Sequence, residues 1–176
     1  MHHSAEGARS ELFITPDDRL RMVHATSWNT AEANSGPGVA FRWTIRVYYE
    51  DTDAGQVVYY ANYLKFFERC RTEWLRALGV DQSALAREAG LQFAVTEIEA
   101  RYLQPARLDD ELTIEARLAA IGRCSLVFEQ LALREDAVVA QARVKVACVD
   151  SQRRMPARLP QALLGRIRPL APGSSA

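Results

Sequence analysis

Residues 53–63 place an acidic residue just before an aromatic-rich segment that has the pattern of a helix. The first backbone N–H groups of a helix lack partners within it, and they carry the positive end of its dipole. A carbonyl oxygen bound there would be polarised while the Asp53 carboxylate supplies a base or a nucleophile. The chemistry that these residues predict is acyl transfer.

Histidine occurs only at His2, His3 and His24, and all three positions precede the first segment with the pattern of a strand, which begins at Phe41. A Ser-His-Asp or Cys-His nucleophile, or a His-liganded zinc site, would need an imidazole from this early segment. We therefore expect a carboxylate to be the catalytic base, with no metal and no redox cofactor.

Composition suits one globular domain, because 176 residues of which 48% are hydrophobic can build a substantial core. The 22 basic and 22 acidic residues are interspersed, so nucleic acid is not an expected partner. We find no export signal and no apolar stretch of the roughly 18 residues that a membrane span requires. Cys70, Cys124 and Cys148 are odd in number and widely spaced, which favours the reducing cytoplasm.

Three segments are predicted along the chain. Residues 1–38 are rich in Ser, Asn, Thr, Pro and Gly, and we interpret them as a flexible extension. An equally good alternative is that Met22 or a later position lies nearer the true start. Residues 39–168 form the predicted catalytic domain, and 169–176 form a predicted disordered tail.

The pattern of the domain begins with a half-buried strand from Phe41, where large apolar and polar residues alternate. A long helix with one apolar stripe follows the acidic loop and ends at Gly79. Asp81 is the predicted cap of a shorter helix that Gly90 ends. After it we predict four long strands and then one helical turn, over residues 91–102, 111–121, 124–134, 138–149 and 161–167.

One strand, a long helix and four further strands indicate an α+β domain, in which a curved antiparallel sheet covers the helix. Short turn signals between the later strands make sequential pairing, a meander, the expected topology. Sheet edges and part of one face would stay bare in a monomer, so we expect a homo-oligomer.

Several stretches together resemble the YbgC-like acyl-CoA thioesterases, which belong to the 4-hydroxybenzoyl-CoA thioesterase class of hotdog proteins. The resemblance covers residues 41 to about 165. Its most specific part joins the acidic loop to the long helix, and shorter matches lie further along the chain. The matching stretches are residues 46–55, 57–59, 61–69, 71–76, 105–110, 125–128 and 148–150.

The resemblance implies a hotdog fold, with a long central helix wrapped by a five-stranded antiparallel sheet. It also implies a dimer that joins two sheets into one, often paired into a tetramer, with active sites at the subunit interface. The reaction implied is hydrolysis of an acyl-CoA thioester to a free acid and coenzyme A. Proteins of this kind are associated with the Tol-Pal envelope system, so peripheral association with envelope proteins is a further expectation.

The resemblance also implies the site residues. Asp53 matches the catalytic aspartate, and the backbone N–H of Tyr60 matches the group that polarises the thioester carbonyl. Gly55 would let the chain approach the substrate closely. The remaining residues that we assign to substrate binding are Gln56, Tyr59, Asn62 and Arg123.

Two positions depart from the family pattern. The usual Gly-Gly is Gly55-Gln56 here, and the usual Tyr-His is Tyr59-Tyr60. The departures affect the expected substrate preference more than the reaction, because a main-chain N–H needs no imidazole. The 4-hydroxybenzoyl branch has Tyr at the position of Tyr60, which makes aromatic acyl groups more credible.

The residues leave several alternatives open. Asp53 could act as a nucleophile or as a general base, and Asp51 is interpreted as a structural group of the loop. Asn62 could brace the first helical turn or orient the substrate. Arg123 could bind the phosphates of coenzyme A, as basic residues of this turn do in a related branch, or it could be a solvated turn charge.

Two other functions are alternatives to hydrolysis. A hotdog dehydratase or hydratase usually pairs an acid with His, and the predicted domain has no His. A non-catalytic acyl-binding or scaffolding protein of the Tol-Pal system is the alternative from a different class. Turnover of acyl-CoA by the pure protein separates that alternative from an enzyme.

Overall fold

The structure is a computed structural model, and it describes residues 40–171. The expectations for the extension 1–38 and for residues 172–176 lie outside the described residues. The beginning of the predicted tail is a short 3-10 turn, Arg168–Leu170, which continues directly from the last helix.

The bounds of the elements follow the sequence pattern closely. The short second helix, the two strands after it and the last helix have the predicted limits, and the other two of the four long strands differ from them by one residue at one or both ends. Within the described part of the chain, no helix is long and apolar enough to cross a membrane. The elements are β1 (Phe41–Arg46), a 3-10 turn (Tyr49–Asp51), α1 (Asn62–Ala77), α2 (Gln82–Ala89), β2 (Leu91–Tyr102), β3 (Glu111–Ile121), β4 (Ser125–Arg134), β5 (Ala137–Asp150), β6 (Met155–Pro156) and α3 (Gln161–Ile167).

The apolar stripe of α1 forms the centre of the core. Its large residues recur every three to four positions, so they share one face of the helix, and that face is buried. The helix ends where Gly79 adopts a φ of 70°, a conformation that glycine reaches without a steric penalty. The buried residues of the stripe include Tyr63, Phe66, Phe67, Cys70 and Trp74.

The sheet is antiparallel, and the predicted sequential pairing is confirmed for β3, β4 and β5 but is wrong for β2. The strand order is β1-β3-β4-β5-β2, and β6 pairs with the end of β5. β2 therefore lies at an edge beside β5, with Leu91 opposite Asp150 and Tyr102 opposite Ala140. β3 instead pairs with β1 and β4.

The connection 103–110 between β2 and β3 explains this topology. Its eight residues reach about 26 Å when extended, whereas the three strand spacings from β2 to β3 span only about 14 Å. The connection crosses the end of the sheet and is bound to it on the way. Leu103 N–H donates to the carbonyl of Val139 (2.8 Å), and Arg134 Nη1 donates to the carbonyl of Pro105 (3.1 Å).

α1 packs against β1, β3 and β4 on the concave face of the sheet. Trp74 meets Phe128 of β4 edge-on, with ring centroids 5.1 Å apart. Ile98 of β2 lies in the same row as Phe128, because both are paired with Val144 of β5. It is nevertheless 44% exposed, so the concave side of β2 is not covered by α1.

Candidate active site

The loop between β1 and α1 folds back on itself before the helix begins. Thr52 forms an isolated antiparallel bridge with Val58, and the N–H of Asp53 donates to the carbonyl of Val57 over 3.0 Å. The N–H of Gln56 donates to the carbonyl of Asp53 over 2.9 Å and closes the turn. These bonds hold Asp53 at the exposed tip of the loop.

Asp51 fastens this loop to the start of α1. Its buried carboxylate accepts a hydrogen bond from the N–H of Tyr48 (2.9 Å). Its carbonyl accepts two more, from the N–H of Tyr59 (2.8 Å) and from Nδ2 of Asn62 (2.9 Å). The structural role predicted for Asp51 is thereby confirmed.

Asn62 is 4% exposed, and the bond from its amide to Asp51 braces the loop from inside. It does not cap α1, because the helix start has no side-chain cap. The geometry supports the bracing alternative. A contact between Asn62 and substrate stays a prediction.

The Asp53 carboxylate is held in one orientation by the backbone of the loop. Its Oδ1 accepts a 2.8 Å hydrogen bond from the N–H of Gly55. A Cβ added at Gly55 would lie 3.0 Å from that same oxygen, so a side chain there would crowd the carboxylate. Oδ2 has no hydrogen-bond donor within residues 40–171, and Asp53 is exposed.

Gln56 carries the backbone strain of the loop. Its φ is 59°, in the left-handed region that side-chain-bearing residues rarely adopt, whereas Gly55 does not have a positive φ. In the resembling family this second position is glycine, which reaches such angles freely. The close approach expected at Gly55 thus serves Asp53, while the unusual backbone angle lies one residue later.

The start of α1 presents unpaired main-chain donors. Ala61 is the N-cap and makes no side-chain capping bond. The N–H of Asn62 donates to the carbonyl of Tyr59 over 2.8 Å, whereas the N–H of Tyr60 has no acceptor among the residues that the structure describes. A substrate oxygen can therefore accept the Tyr60 hydrogen bond at the positive end of the helix dipole.

Four tyrosines surround this helix start. The ring centroids of Tyr59 and Tyr60 are 4.6 Å apart, and Tyr102, at the end of β2, lies 6.0 Å from Tyr60 and 5.7 Å from Tyr63. Tyr63 is buried, as predicted for the core, and the other three are partly exposed. They form an aromatic wall along which an acyl group can lie.

The pKa values of two phenols in this wall are shifted by their neighbours. A side-chain hydrogen bond with Tyr60 raises the pKa of Tyr59, and the charge of Asp53 adds a smaller effect in the same direction. Burial raises the pKa of Tyr102, and the Tyr60 phenol contributes as well. Asp53 thus lies close enough to Tyr59 for its charge to act on that phenol.

Sequence reasoning missed Tyr102. The residue lies far along the chain from the acidic loop, and only the pairing of β2 at the sheet edge brings it to the helix start. The sequence pattern shows that Tyr102 is the last residue of a strand. It does not show which loop lies next to that end of the strand.

Arg123 lies at the other end of the sheet. It is exposed in the turn between β3 and β4, and its carbonyl accepts a 3.2 Å bond from Leu159 N–H. The length of β3 puts on the order of 30 Å between this turn and the end where Tyr102 lies. Within one chain, Arg123 is not brought together with Asp53, and its role in phosphate binding stays a prediction.

Cys70 and Cys148 do not supply an alternative nucleophile. Burial raises the pKa of Cys70 to about 12, and its Sγ donates to the carbonyl of Ile114 over 3.4 Å. Burial also raises the pKa of Cys148. Within residues 40–171, His, Cys, Asp and Glu do not gather into groups of three that could hold a metal ion. The chemistry available at the helix start is therefore attack on a carbonyl with carboxylate assistance.

Comparison with known proteins agrees with this chemistry. Residues 47–167 match the thioesterase-like superfamily. The chain is 45% identical over 121 residues to the acyl-CoA thioesterase YbgC of Haemophilus influenzae, covering 69% of this chain and 89% of that protein. It is 43% identical over 129 residues to the acyl-CoA thioester hydrolase YbgC of an Escherichia coli strain, covering 73% and 96%.

Solved structures share the fold. The probable thioesterase of Bartonella henselae is 35% identical and superposes with a TM-score of 0.66, covering 69% of this chain and all of that one. A 1,4-dihydroxy-2-naphthoyl-CoA thioesterase from Synechocystis superposes with a TM-score of 0.69 over 74% of this chain and 96% of its own. At 19% identity, the second likeness supports the fold alone.

The strain at Gln56 leads to a stability prediction. Gln56→Gly should raise the free energy of unfolding by up to about 1 kcal/mol, because glycine adopts a φ near 60° without the steric cost that glutamine bears. Urea denaturation monitored by circular dichroism measures the change. Ala54→Gly, in the same loop but without a positive φ, is the matched control and should be neutral or destabilising. Equal destabilisation by both variants would contradict the assignment of strain to Gln56.

Proposed function

We propose that this chain, which belongs to the thioesterase-like superfamily, hydrolyses acyl-CoA thioesters to a free acid and coenzyme A. The observation that carries the proposal is the pair formed by the free Asp53 oxygen and the unpaired Tyr60 N–H at the start of α1. Relatives named acyl-CoA thioesterases, matched over 89% and 96% of their length, support the same reaction.

The Tyr60 N–H polarises the thioester carbonyl in this mechanism. It lies at the helix start without an acceptor of its own, so it can donate to the oxygen as negative charge develops on it. The buried Asp51 and Asn62 hold this end of the helix through main-chain and amide bonds. The donor is therefore oriented before substrate binds.

Asp53 supplies the attacking oxygen or activates it. In one route Oδ2 attacks the carbonyl carbon, the C–S bond breaks, and water hydrolyses the resulting mixed anhydride. In the other route Asp53 removes a proton from a water molecule that attacks directly. The bond from Gly55 to Oδ1 leaves Oδ2 as the reacting atom in both.

The departing group is a thiolate, which is stable enough to leave without a strong general acid. A carboxylate and an oriented main-chain donor are then sufficient for the reaction. This mechanism needs no imidazole, which agrees with Tyr at position 60, where the family pattern has His. It uses no metal and no redox cofactor.

We further propose that the enzyme is at least a homodimer joined through β2. Among the strands of residues 40–171, β2 is a long edge strand that pairs with β5 alone. Its concave side exposes Val95, Ile98 and Tyr102 by 44–50%. A second β2 would satisfy the unpaired backbone groups and cover these side chains. Because Tyr102 belongs to the aromatic wall, the partner copy would complete the acyl site.

The proposed location is the cytoplasm, which the free thiols of Cys70, Cys124 and Cys148 support. Association with envelope proteins of the Tol-Pal system remains a prediction from the family resemblance. A scaffold without activity would not need an oriented carboxylate beside an unpaired helix N–H. Release of free thiol from acyl-CoA by the pure protein decides between enzyme and scaffold.

Asp53→Asn should lower kcat by about 10²-fold or more, because it removes the charge and basicity while keeping the shape of the side chain. The amide oxygen can still accept from Gly55, so the loop should be preserved. Thiol release from a panel of short, long and aromatic acyl-CoAs measures the effect. Glu50→Gln, an exposed neutralisation nearby in the same loop, is the control and should keep most activity. Near-normal turnover by Asp53→Asn would contradict the assignment of Asp53 as nucleophile or general base.

Replacements of Tyr60 separate its main chain from its side chain. Tyr60→Phe and Tyr60→His should retain substantial turnover and mainly change the preferred acyl group, since both keep the N–H. Tyr60→Pro should lose about 10² to 10³ in rate, because proline has no N–H to donate. Circular dichroism confirms that α1 still forms. A folded Pro variant with unchanged turnover, or an inactive Phe variant, would move the role to the phenol.

The assembly is tested by a charge placed in the exposed row of β2. Light scattering at micromolar concentration should show a dimer or tetramer for the wild type and a smaller species for Ile98→Asp, since the new carboxylate would be buried at the joint. Thr44→Asp, exposed on the opposite edge strand β1, is the control and should leave the mass unchanged. A monomeric and fully active wild type would contradict both the joint and the shared site.

A further inference from the structure

A cleft opens between α1 and the β2 side of the sheet, beyond the helix start near which Asp53 lies. Its cavity volume is about 80 Å³, and it is partly open to solvent. One wall is apolar and comes from three strands, and the other wall consists largely of polar side chains from α1 and α2. The apolar wall is made of Phe93, Val95, Leu126, Phe128 and Val146.

Arg71 is the cation of the polar wall, although it is only 8% exposed. Its Nη1 donates to Oε1 of Gln130 over 2.6 Å. Gln130 is fully buried, and its Nε2 donates to the carbonyl of Phe67 over 3.0 Å. Because that carbonyl can only accept, the amide of Gln130 must direct its oxygen at the guanidinium, which fixes the position of Arg71.

Most donors of Arg71 remain unused. A guanidinium carries five N–H groups, and the bond to Gln130 is the one hydrogen bond that Arg71 makes within residues 40–171. The other polar side chains of the wall bond to one another: Gln82 donates to Thr72 (3.2 Å), and Thr72 donates to Glu68 (2.8 Å). Glu68 is thereby engaged and makes no ion pair with Arg71 among the described residues.

No nitrogen of Arg71 is both inaccessible and without a partner, so water can reach its unused donors. An occupant of the cleft that displaced this water without accepting a hydrogen bond would leave a charged donor unpaired at a cost. Burial lowers the pKa of Arg71, and the charge of Glu68 acts in the opposite direction without a direct contact. Arg71 forms part of the cleft wall, so an occupant of the cleft lies beside its side chain. An oxygen that enters the cleft along the apolar side would come near the unused donors.

One face of β2 runs from the aromatic wall toward the cleft. Tyr102, Ala100, Ile98 and Val95 are paired with residues of β5 in rows that face α1, so they form an apolar track from the aromatic wall to the cleft. Along the helix, the nine residue steps from Asn62 to Arg71 span about 13 Å. The side chain of Arg71 leans back toward the helix start, which shortens the distance to the guanidinium.

We propose that Arg71 binds an acceptor oxygen at the far end of the acyl group, so that the enzyme selects acyl-CoAs of medium length that end in a carboxylate or a hydroxyl. A carboxylate is the better match, because it accepts two parallel bonds from one guanidinium. A methyl-ended chain of equal length would leave the donors unpaired. This specificity rests on the proposed thioester hydrolysis, which it extends to a class of substrate.

The experiment compares kcat/KM for pairs of acyl-CoAs of equal length. Hexanoyl-CoA is paired with adipyl-CoA and octanoyl-CoA with suberyl-CoA, and the ω-hydroxy counterparts form a third arm that separates hydroxyl from carboxylate. The wild type should prefer the oxygen-ended member of each pair. Arg71→Met should lower this preference by about 10- to 100-fold, the effect of losing a hydrogen bond to a charged group. Arg69→Met, an exposed position of the same helix, should leave the preference unchanged.

A second variant guards against a purely structural effect. Arg71→Met alone leaves the buried Gln130 oxygen without a hydrogen-bond donor. Arg71→Met/Gln130→Leu removes both polar partners, so the folded double variant should be more stable than the single one. A preference of the wild type for methyl-ended chains would overturn the proposal whatever the variants do. So would an unchanged preference in the folded double variant. A wild type that hydrolyses no acyl-CoA would contradict the proposed function itself, and a wild type that hydrolyses all classes equally would contradict only the role of Arg71.

Discussion

A single helix has to bury its apolar stripe against a sheet that is wider than the helix. α1 is about 10 Å across, whereas the five long strands span about 19 Å between their outer axes. α1 accordingly packs on β1, β3 and β4 and leaves the concave side of β2 uncovered. The open side of β2, the track along it and the cleft beside Arg71 all follow from this mismatch.

The reaction centre depends on the same packing. Burial of the stripe fixes the axis of α1, and buried Asp51 and Asn62 then hold the acidic loop at its start. The loop makes several backbone bonds of its own, but the Tyr60 N–H and one oxygen of Asp53 find no partner among residues 40–171. Strain at Gln56 accompanies the turn that keeps the carboxylate at the tip. The Tyr60 N–H and the Asp53 carboxylate are thus positioned by hydrogen bonds within the loop and not by a bond between the two groups.

Local patterns predicted most of the elements correctly, because periodicity, caps and glycine stops act over a few residues. Asp81 caps α2 by accepting from the N–H groups of Ser83 and Ala84, and Gly90 ends that helix in a left-handed conformation. The buried stripe of α1 was also predicted from its spacing. The place of β2 in the sheet was not, since a connection as long as 103–110 permits both a meander and a crossover.

The sequence by itself determined the acidic loop, the helix after it and the absence of an imidazole from the described domain, because these are matters of residue type and short-range spacing. Only the tertiary structure decided that Tyr102 joins the helix start, that Arg123 lies at the opposite end of the sheet, and that Arg71 is buried against Gln130. Each of these depends on which strands pair. Strand pairing is a long-range choice, governed by the burial of whole faces rather than by the residues of any one segment.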